Sequence, residues 1–179
     1  MPATPTSSAK HWTDRRRWPD CALRRPVYIP GASSWCGASG GAVSYTNTFI
    51  AVAEDCRATT GEVPTERSGT PTVASAQYAM LAGAPGRWTQ EDVVLASSAG
   101  VRGRDIDEAE RERLREEYFV QPRACLRASP LPKTLGWGLH YDAEGRITLH
   151  AVGSPEYAKW CSDPSVTQLR AMRSSRARS

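Results

Sequence analysis

This 179-residue sequence lacks most of the motifs by which a protein's chemistry is recognised. It has no CxxC pair, no glycine-rich phosphate loop and no motif that signals a catalytic triad. The odd number of cysteines and their spacing support neither a zinc ribbon nor a disulfide framework. Free thiols in a reducing cytoplasm are therefore expected. The five cysteines are Cys21, Cys36, Cys56, Cys125 and Cys161.

Long apolar runs and lysine are also scarce. No apolar run approaches the length of a membrane span, and the N-terminus lacks the apolar region of a secretory signal. We therefore expect a soluble cytoplasmic protein with no membrane partner. Only three lysines accompany 20 arginines. Because the arginines are scattered among acids, we interpret this bias as codon usage in a GC-rich genome rather than selected anion binding.

The net charge of +4 belongs entirely to residues 1–42, which carry six basic and two acidic groups. The remaining residues carry 17 of each sign, so the foldable part is neutral. This balance argues against a nucleic-acid partner despite a sequence pI near 8.9. Residues 1–42 also show no hydrophobic period, which predicts a disordered basic leader before one globular domain at 43–176.

Capping residues and hydrophobic periodicity predict one short strand and five helices. Residues 47–53 form a largely apolar run that is typical of a buried strand. The clearest helix start is at Thr89, where Asp92 resembles the second member of a capping box. The helices are predicted to begin at Thr70 with Pro71 at the first position, Thr89, Asp105, Ser154 with Pro155, and Asp163 with Pro164.

Residues 136–152 predict a β-hairpin. Trp137, Leu139 and Tyr141 alternate with small or polar residues, and Ile147, Leu149 and Ala151 do the same after the turn at 142–145. A type I turn with Gly145 in the left-handed position pairs Tyr141 with Ile147 and Leu139 with Leu149. That register places all the apolar partners on one face and both His140 and His150 on the other.

These elements predict an α+β fold. A small antiparallel sheet is formed by the hairpin at about 136–152, which strand 47–53 can join, and four to five helices pack on one of its faces. The other face is expected to be partly open. It would carry Gly138, His140, Thr148 and His150, with the loop at 125–130 along its edge.

Three residues are candidates for catalysis: Cys125, Arg127 and His140. A thiol beside an arginine, with an imidazole on the following strand, has the ingredients of an activated nucleophile. The structural alternative is a buried, inert Cys125 and an Arg127 paired with a carboxylate, because closeness in sequence does not bring thiol and base together.

Further residues are candidates for binding because they flank the same loop, the glycine-rich strand or the acidic end of the first strand. Glycines around Trp137 indicate a close approach by another backbone or a ligand. His140 and His150, even with Asp142, lack a third convincing ligand, so no metal site and no cofactor are predicted. The binding candidates are Glu54, Asp55, Ser129, Lys133, Trp137, Gly138 and His150.

Four segments in order resemble a family of short bacterial proteins known only as a domain of unknown function. They are NTFIAVAEDC at 47–56, CLRASPL at 125–131, GWGLH at 136–140 and AMRS at 171–174. The resemblance implies no activity. It implies a start shortly before Asn47, near Val43, and valine can be encoded by the alternative start codon GTG. We therefore hypothesise that residues 1–42 are upstream sequence translated in error.

The leading functional hypothesis is an accessory module that binds a small molecule or a protein, because no complete catalytic motif is present. The first alternative is a thiol-dependent enzyme that uses Cys125 with His140 and Arg127. The second is weak nucleic-acid binding through the C-terminal arginines, which the neutral domain charge disfavours. Those arginines are Arg170, Arg173, Arg176 and Arg178.

Overall fold

The structure is a computed structural model and describes residues 44–174. Within this range a four-stranded open sheet packs against five α-helices, which confirms the α+β class. The strands are β1 (Thr48–Ala51), β2 (Trp137–Tyr141), β3 (Ile147–Ala151) and β4 (Thr167–Arg170). The helices are α1 (Val73–Gly83), α2 (Gln90–Ala96), α3 (Glu108–Phe119), α4 (Pro130–Thr134) and α5 (Pro155–Ser162), with a short 3₁₀ helix at Leu126–Ala128. The described residues do not include the predicted leader at 1–42, which contains Cys21 and Cys36. They also do not include Arg176 and Arg178.

The hairpin has the predicted register. Tyr141 pairs with Ile147, Leu139 with Leu149 and Gly138 with His150. Gly145 has a φ of +76°, the left-handed conformation that glycine adopts without steric cost. The Asp142 side chain stabilises the turn by accepting hydrogen bonds from the backbone N–H groups of Glu144 at 3.0 Å and Arg146 at 2.7 Å. The local sequence therefore determines this register.

The sheet order is β3-β2-β1-β4, and the fourth strand makes the sheet mixed. β1 is antiparallel to β2 but parallel to β4. The predicted helix after Asp163 is therefore wrong, because residues 167–170 form β4 instead. Asp163 does cap this segment, but it caps a turn by accepting from the Ser165 N–H at 2.8 Å. Met172, which a helix would bury on one stripe with Val166 and Leu169, is 53% exposed.

Helices lie on both faces of the sheet. On the face that we call the inner face, Ile50, Leu139 and Tyr141 form a core with residues of α1, α2 and α4. On the opposite face, here the α5 face, Phe49 packs with Tyr157 of α5. α5 covers part of this face, which was expected to be partly open: Gly138 is buried there, and His140, Thr148 and His150 are half-buried. Fully burying a large side chain of this kind contributes roughly 1.5–3 kcal/mol, which holds α5 on the sheet.

Each of these helices begins where a side chain can accept a hydrogen bond from a backbone N–H group in the first helical turn. Thr89 caps α2 in a capping box with Asp92, as predicted. α1 is capped by Thr72 rather than Thr70, because Thr70 pairs its backbone with Arg67 in a tight turn. α3 is capped by Asp107 rather than Asp105. None of the helices within residues 44–174 is long and apolar enough to span a membrane.

The segment after Cys125 was predicted as a loop and is largely helical. Ser129 caps α4 by accepting from the Leu131 N–H at 3.2 Å, and Pro130 occupies the first helical position. This is the same serine-proline start that Ser154 and Pro155 give to α5, which was predicted correctly. α4 lies on the inner face, against β2 and α1.

Candidate functional site

The structure separates the proposed thiol and base. Cys125 lies on the inner side of the sheet, where the Tyr45 hydroxyl donates a hydrogen bond to its Sγ at 3.5 Å. His140 points to the opposite, α5 face and stacks on Trp160 with ring centroids 3.7 Å apart. Because the sheet lies between them, Cys125 and His140 do not form a nucleophile-base pair.

Arg127 lies next to the Cys125 segment, but its hydrogen bonds connect this segment to the end of β4. Its Nε donates to the Arg170 carbonyl at 3.0 Å, and its own carbonyl accepts from the Met172 N–H at 3.0 Å. These bonds fasten the 3₁₀ helix to the end of β4. Burial, together with the adjacent Cys125, raises the pKa of Tyr45, so its hydroxyl remains a proton donor to the thiol.

The two histidines lie side by side beneath α5. Their ring centroids are 6.2 Å apart, and the His150 Nε2 lies 3.0 Å from the Thr148 hydroxyl. Burial lowers the pKa of His140, although Asp142 and Asp163 act in the opposite sense. Burial and then His140 lower the pKa of His150. Within residues 44–174 no group of three or more histidine, cysteine, aspartate or glutamate side chains could hold a metal ion.

The glycines beside Trp137 make room for the protein's own core rather than for a cleft. A Cβ on Gly138 would lie 2.7 Å from both the Phe49 and Tyr157 rings, and one on Gly136 would lie 2.2 Å from the Thr60 carbonyl oxygen. Trp137 itself is half-buried and donates from Nε1 to the Glu62 carbonyl at 2.8 Å. The close approach predicted from these glycines is therefore made by the protein's own backbone and side chains.

The acidic end of β1 is tied to the end of β4. Glu54 forms an ion pair with Arg173, and Asp55 accepts from the Ser174 N–H at 2.8 Å. Because β1 and β4 are parallel, their carboxyl ends meet at one edge of the sheet, which places Glu54 and Asp55 beside Arg173 and Ser174. Lys133 is half-buried in the last turn of α4.

Cys125 and Ser129 instead meet at a cavity of about 210 Å³, which we call the Gln77 cavity. It lies where α1, α2 and the 125–130 segment come together. None of its lining residues is charged. They are Val73, Gln77, Val94, Ser97, Tyr118, Ala124, Cys125, Leu126, Ala128, Ser129 and Pro130.

A chain of buried hydrogen bonds runs along the wall of the Gln77 cavity. The Ser129 hydroxyl donates to the Gln77 Oε1 at 2.6 Å, and the Gln77 Nε2 donates to the Ser97 hydroxyl at 3.1 Å. All three residues are at most 5% exposed. The Gln77 amide has two N–H groups and two acceptor lone pairs. One N–H and one lone pair have no partner among residues 44–174.

Sequence reasoning found Cys125 and Ser129 but missed Gln77 and Ser97. Gln77 shares a helix face with Leu81, four residues further on, and a polar residue on such a face is the anomaly. A buried glutamine requires hydrogen-bond partners, and that requirement was the available signal. Ser97 is the C-terminal cap of α2, and no residue pattern around it predicts that it lines a cavity.

Together these features define a class of protein, an α+β domain with an open mixed sheet and a small uncharged cavity beneath its helices. A family model described as "Family of unknown function (DUF6157)" matches residues 41–177, and the chain belongs to this family. The predicted membership of a family of unknown function is thereby confirmed. Searches of curated proteins and of solved structures each found no match.

Proposed function

We propose that this protein is a binding module that accepts a small neutral molecule, or one end of a larger molecule, in the Gln77 cavity. The observation that carries the proposal is the Gln77 side chain, which is almost fully buried and keeps unused hydrogen-bonding capacity at the wall of a cavity. Binding pockets commonly combine apolar walls with a few well-placed polar groups of this kind.

The composition of the wall indicates the chemistry of the ligand. Because no charged side chain lines the cavity, a charged ligand would lose its hydration without gaining a counter-charge. The free N–H and lone pair of Gln77 suit a group that both donates and accepts, such as a carboxamide or a hydroxyl. The apolar part would contact Val73, Val94 and Leu126.

The size of the cavity limits the ligand. Its volume of about 210 Å³ is below the roughly 300–1,000 Å³ of pockets that enclose drug-sized molecules. A compact amide or alcohol fits this space, and so does a single side chain of a peptide.

The two alternatives have weaker support. Thiol-dependent catalysis through Cys125 loses its proposed base, since His140 lies across the sheet. Nucleic-acid binding would depend on the C-terminal arginines, of which Arg173 is paired with Glu54.

The test is a titration of the full chain with small neutral amides and alcohols, followed by NMR of the Val94 and Leu126 methyl groups. We expect concentration-dependent shifts in the wild type. We expect a loss of affinity of about tenfold or more in Gln77→Leu, because a ligand hydrogen bond is removed.

Gln90→Leu is the matched control. Gln90 is as deeply buried as Gln77, but it accepts from the Leu126 N–H and the Tyr141 hydroxyl and does not line the cavity. It should lower stability while preserving affinity. Equal binding by wild type and Gln77→Leu, or no methyl shifts with any of these probes at millimolar concentration, would contradict the proposal.

A further inference from the structure

A second cavity, of about 470 Å³, lies on the other side of α2, between the α1-α2 pair and residues 101–115. We call it the Trp88 cavity. Its apolar wall is formed by Met80, Trp88, Leu95, Val101 and Ile106. Its volume lies within the range of pockets that enclose small organic ligands. It shares no lining residue with the Gln77 cavity.

Arginines surround the Trp88 cavity, and most of them already have carboxylate partners. Arg104 pairs with Glu110 at 2.8 Å, and Arg111 pairs with Glu108 at 2.8 Å. Arg115 binds Asp92 and Glu91 at the base of α2. These pairs leave little positive charge available for a ligand.

Arg87 differs from the other three. Its guanidinium carbon lies 4.7 Å from the centroid of the Trp88 ring, and no carboxylate within residues 44–174 lies within ion-pair distance of it. Stacking on the indole holds the guanidinium plane in place while its N–H groups remain available. Arg87 is thus an exposed cation with no carboxylate partner in residues 44–174, and it lines a pocket whose apolar wall is bordered by the paired arginines and by the carboxylates of Asp92 and Glu108.

Arg115 adds a second polar feature to the wall. Its Nε is buried, lies 3.6 Å from the Glu112 Oε2, and has no hydrogen-bond partner in the described part of the chain. Because this Nε has almost no accessible surface, Arg115 stays with its own carboxylates and is not offered to a ligand.

We propose that the Trp88 cavity binds a small carboxylate with an aromatic or aliphatic body. The body packs on Trp88, Met80 and Ile106, and the carboxylate forms a bidentate pair with the Arg87 guanidinium. Arginine is the side chain best suited to planar carboxylates because its paired N–H groups match the two oxygens. This site is independent of the Gln77 cavity and of the neutral ligand proposed for it.

The test is a calorimetric and NMR titration of the full chain with benzoate, 2-naphthoate and octanoate, each compared with its carboxamide. The carboxylates should bind with shifts at Trp88 and Ile106, and the carboxamides should bind about tenfold more weakly or worse. Arg87→Gln should lower the carboxylate affinity by a similar factor. Its side chain is exposed, so the variant is expected to fold.

Arg113→Gln is the matched control, because Arg113 is an exposed arginine of α3 that does not line the cavity. It removes the same charge from the molecule and should leave binding unchanged. The proposal is overturned if the carboxylates do not shift Trp88 and Ile106 at millimolar concentration, if the carboxamides shift these two residues at equally low concentration, or if both variants lose affinity equally. Equal losses would show that the effect is one of overall charge.

Discussion

Substituting alanine for Gly138 tests whether the space next to this glycine on the α5 face is filled by the core or open to a ligand. The added Cβ would lie 2.7 Å from the Phe49 Cζ and 2.7 Å from the Tyr157 Cε2. Carbon atoms in favourable contact are about 3.5–4.0 Å apart, so the rings must move by roughly 1 Å. Phe49 is fully buried, and the Tyr157 hydroxyl is held by the Val52 N–H at 3.0 Å.

Overpacking of a well-filled core costs about 1–3 kcal/mol, and we expect Gly138→Ala to lie in this range. For a chain of this size each kcal/mol lowers Tm by about 2–4 °C, which gives a decrease of roughly 2–12 °C. Urea denaturation monitored by circular dichroism measures the free energy of unfolding, and a thermal scan measures Tm. In a Phe49→Leu background the alanine should cost less, because leucine lacks the Cζ atom that it meets.

Gly83→Ala is the matched control. Gly83 is the last residue of α1, and a Cβ there would have no neighbour within 4 Å. Alanine in a helix is favoured over glycine by about 0.5–1 kcal/mol, so this variant should be neutral or more stable. A Gly138→Ala protein as stable as the wild type would refute the reasoning and would place open space next to Gly138 on the α5 face.

Three further predictions concern single interactions. Burial lowers the pKa of both His140 and His150, so the unfolded chain binds protons more readily than the folded one. The urea midpoint should therefore fall as the pH drops from about 7.5 through about 6.5, the ordinary histidine pKa. The fall should be smaller in His140→Gln. A constant midpoint over this interval would contradict that assignment. Thr89→Ala should lower the free energy of unfolding by about 1 kcal/mol in urea denaturation, because it removes the cap of α2, and an unchanged midpoint would show that the cap is not needed. Arg173→Ala should leave the unfolding midpoint unchanged, since the pair with Glu54 is solvent-exposed; a clear decrease would mean that this pair fastens the end of β4.

Gln77 shows that a polar residue on the core-facing side of a helix needs its hydrogen-bond partners to be known before its role can be assigned. Gln77 lies on the face that α1 turns towards the core, and it forms hydrogen bonds with serines 52 and 20 residues away in the chain. Periodicity alone assigns such a position to the core, and only the folded arrangement shows its partners. The spare N–H of the amide becomes visible once both serines are placed.

The sequence by itself determined the features that depend on neighbouring residues. The register of the hairpin follows from alternation with period two and from one left-handed glycine in the turn. The caps at Thr89 and Ser154 follow from side chains that reach an N–H three residues along. In each case the deciding contact spans a few residues, so the local pattern contains the necessary information.

Tertiary structure decided what depends on distant segments. β4 is a strand because β1, more than 100 residues earlier, offers an unpaired edge, and a short apolar stripe alone does not distinguish that outcome from a helix. Alternation along β2 turns His140 away from Leu139 and Tyr141. Packing across the sheet then decides which face α4 and Cys125 lie on. That packing separates the Cys125 thiol from the His140 imidazole.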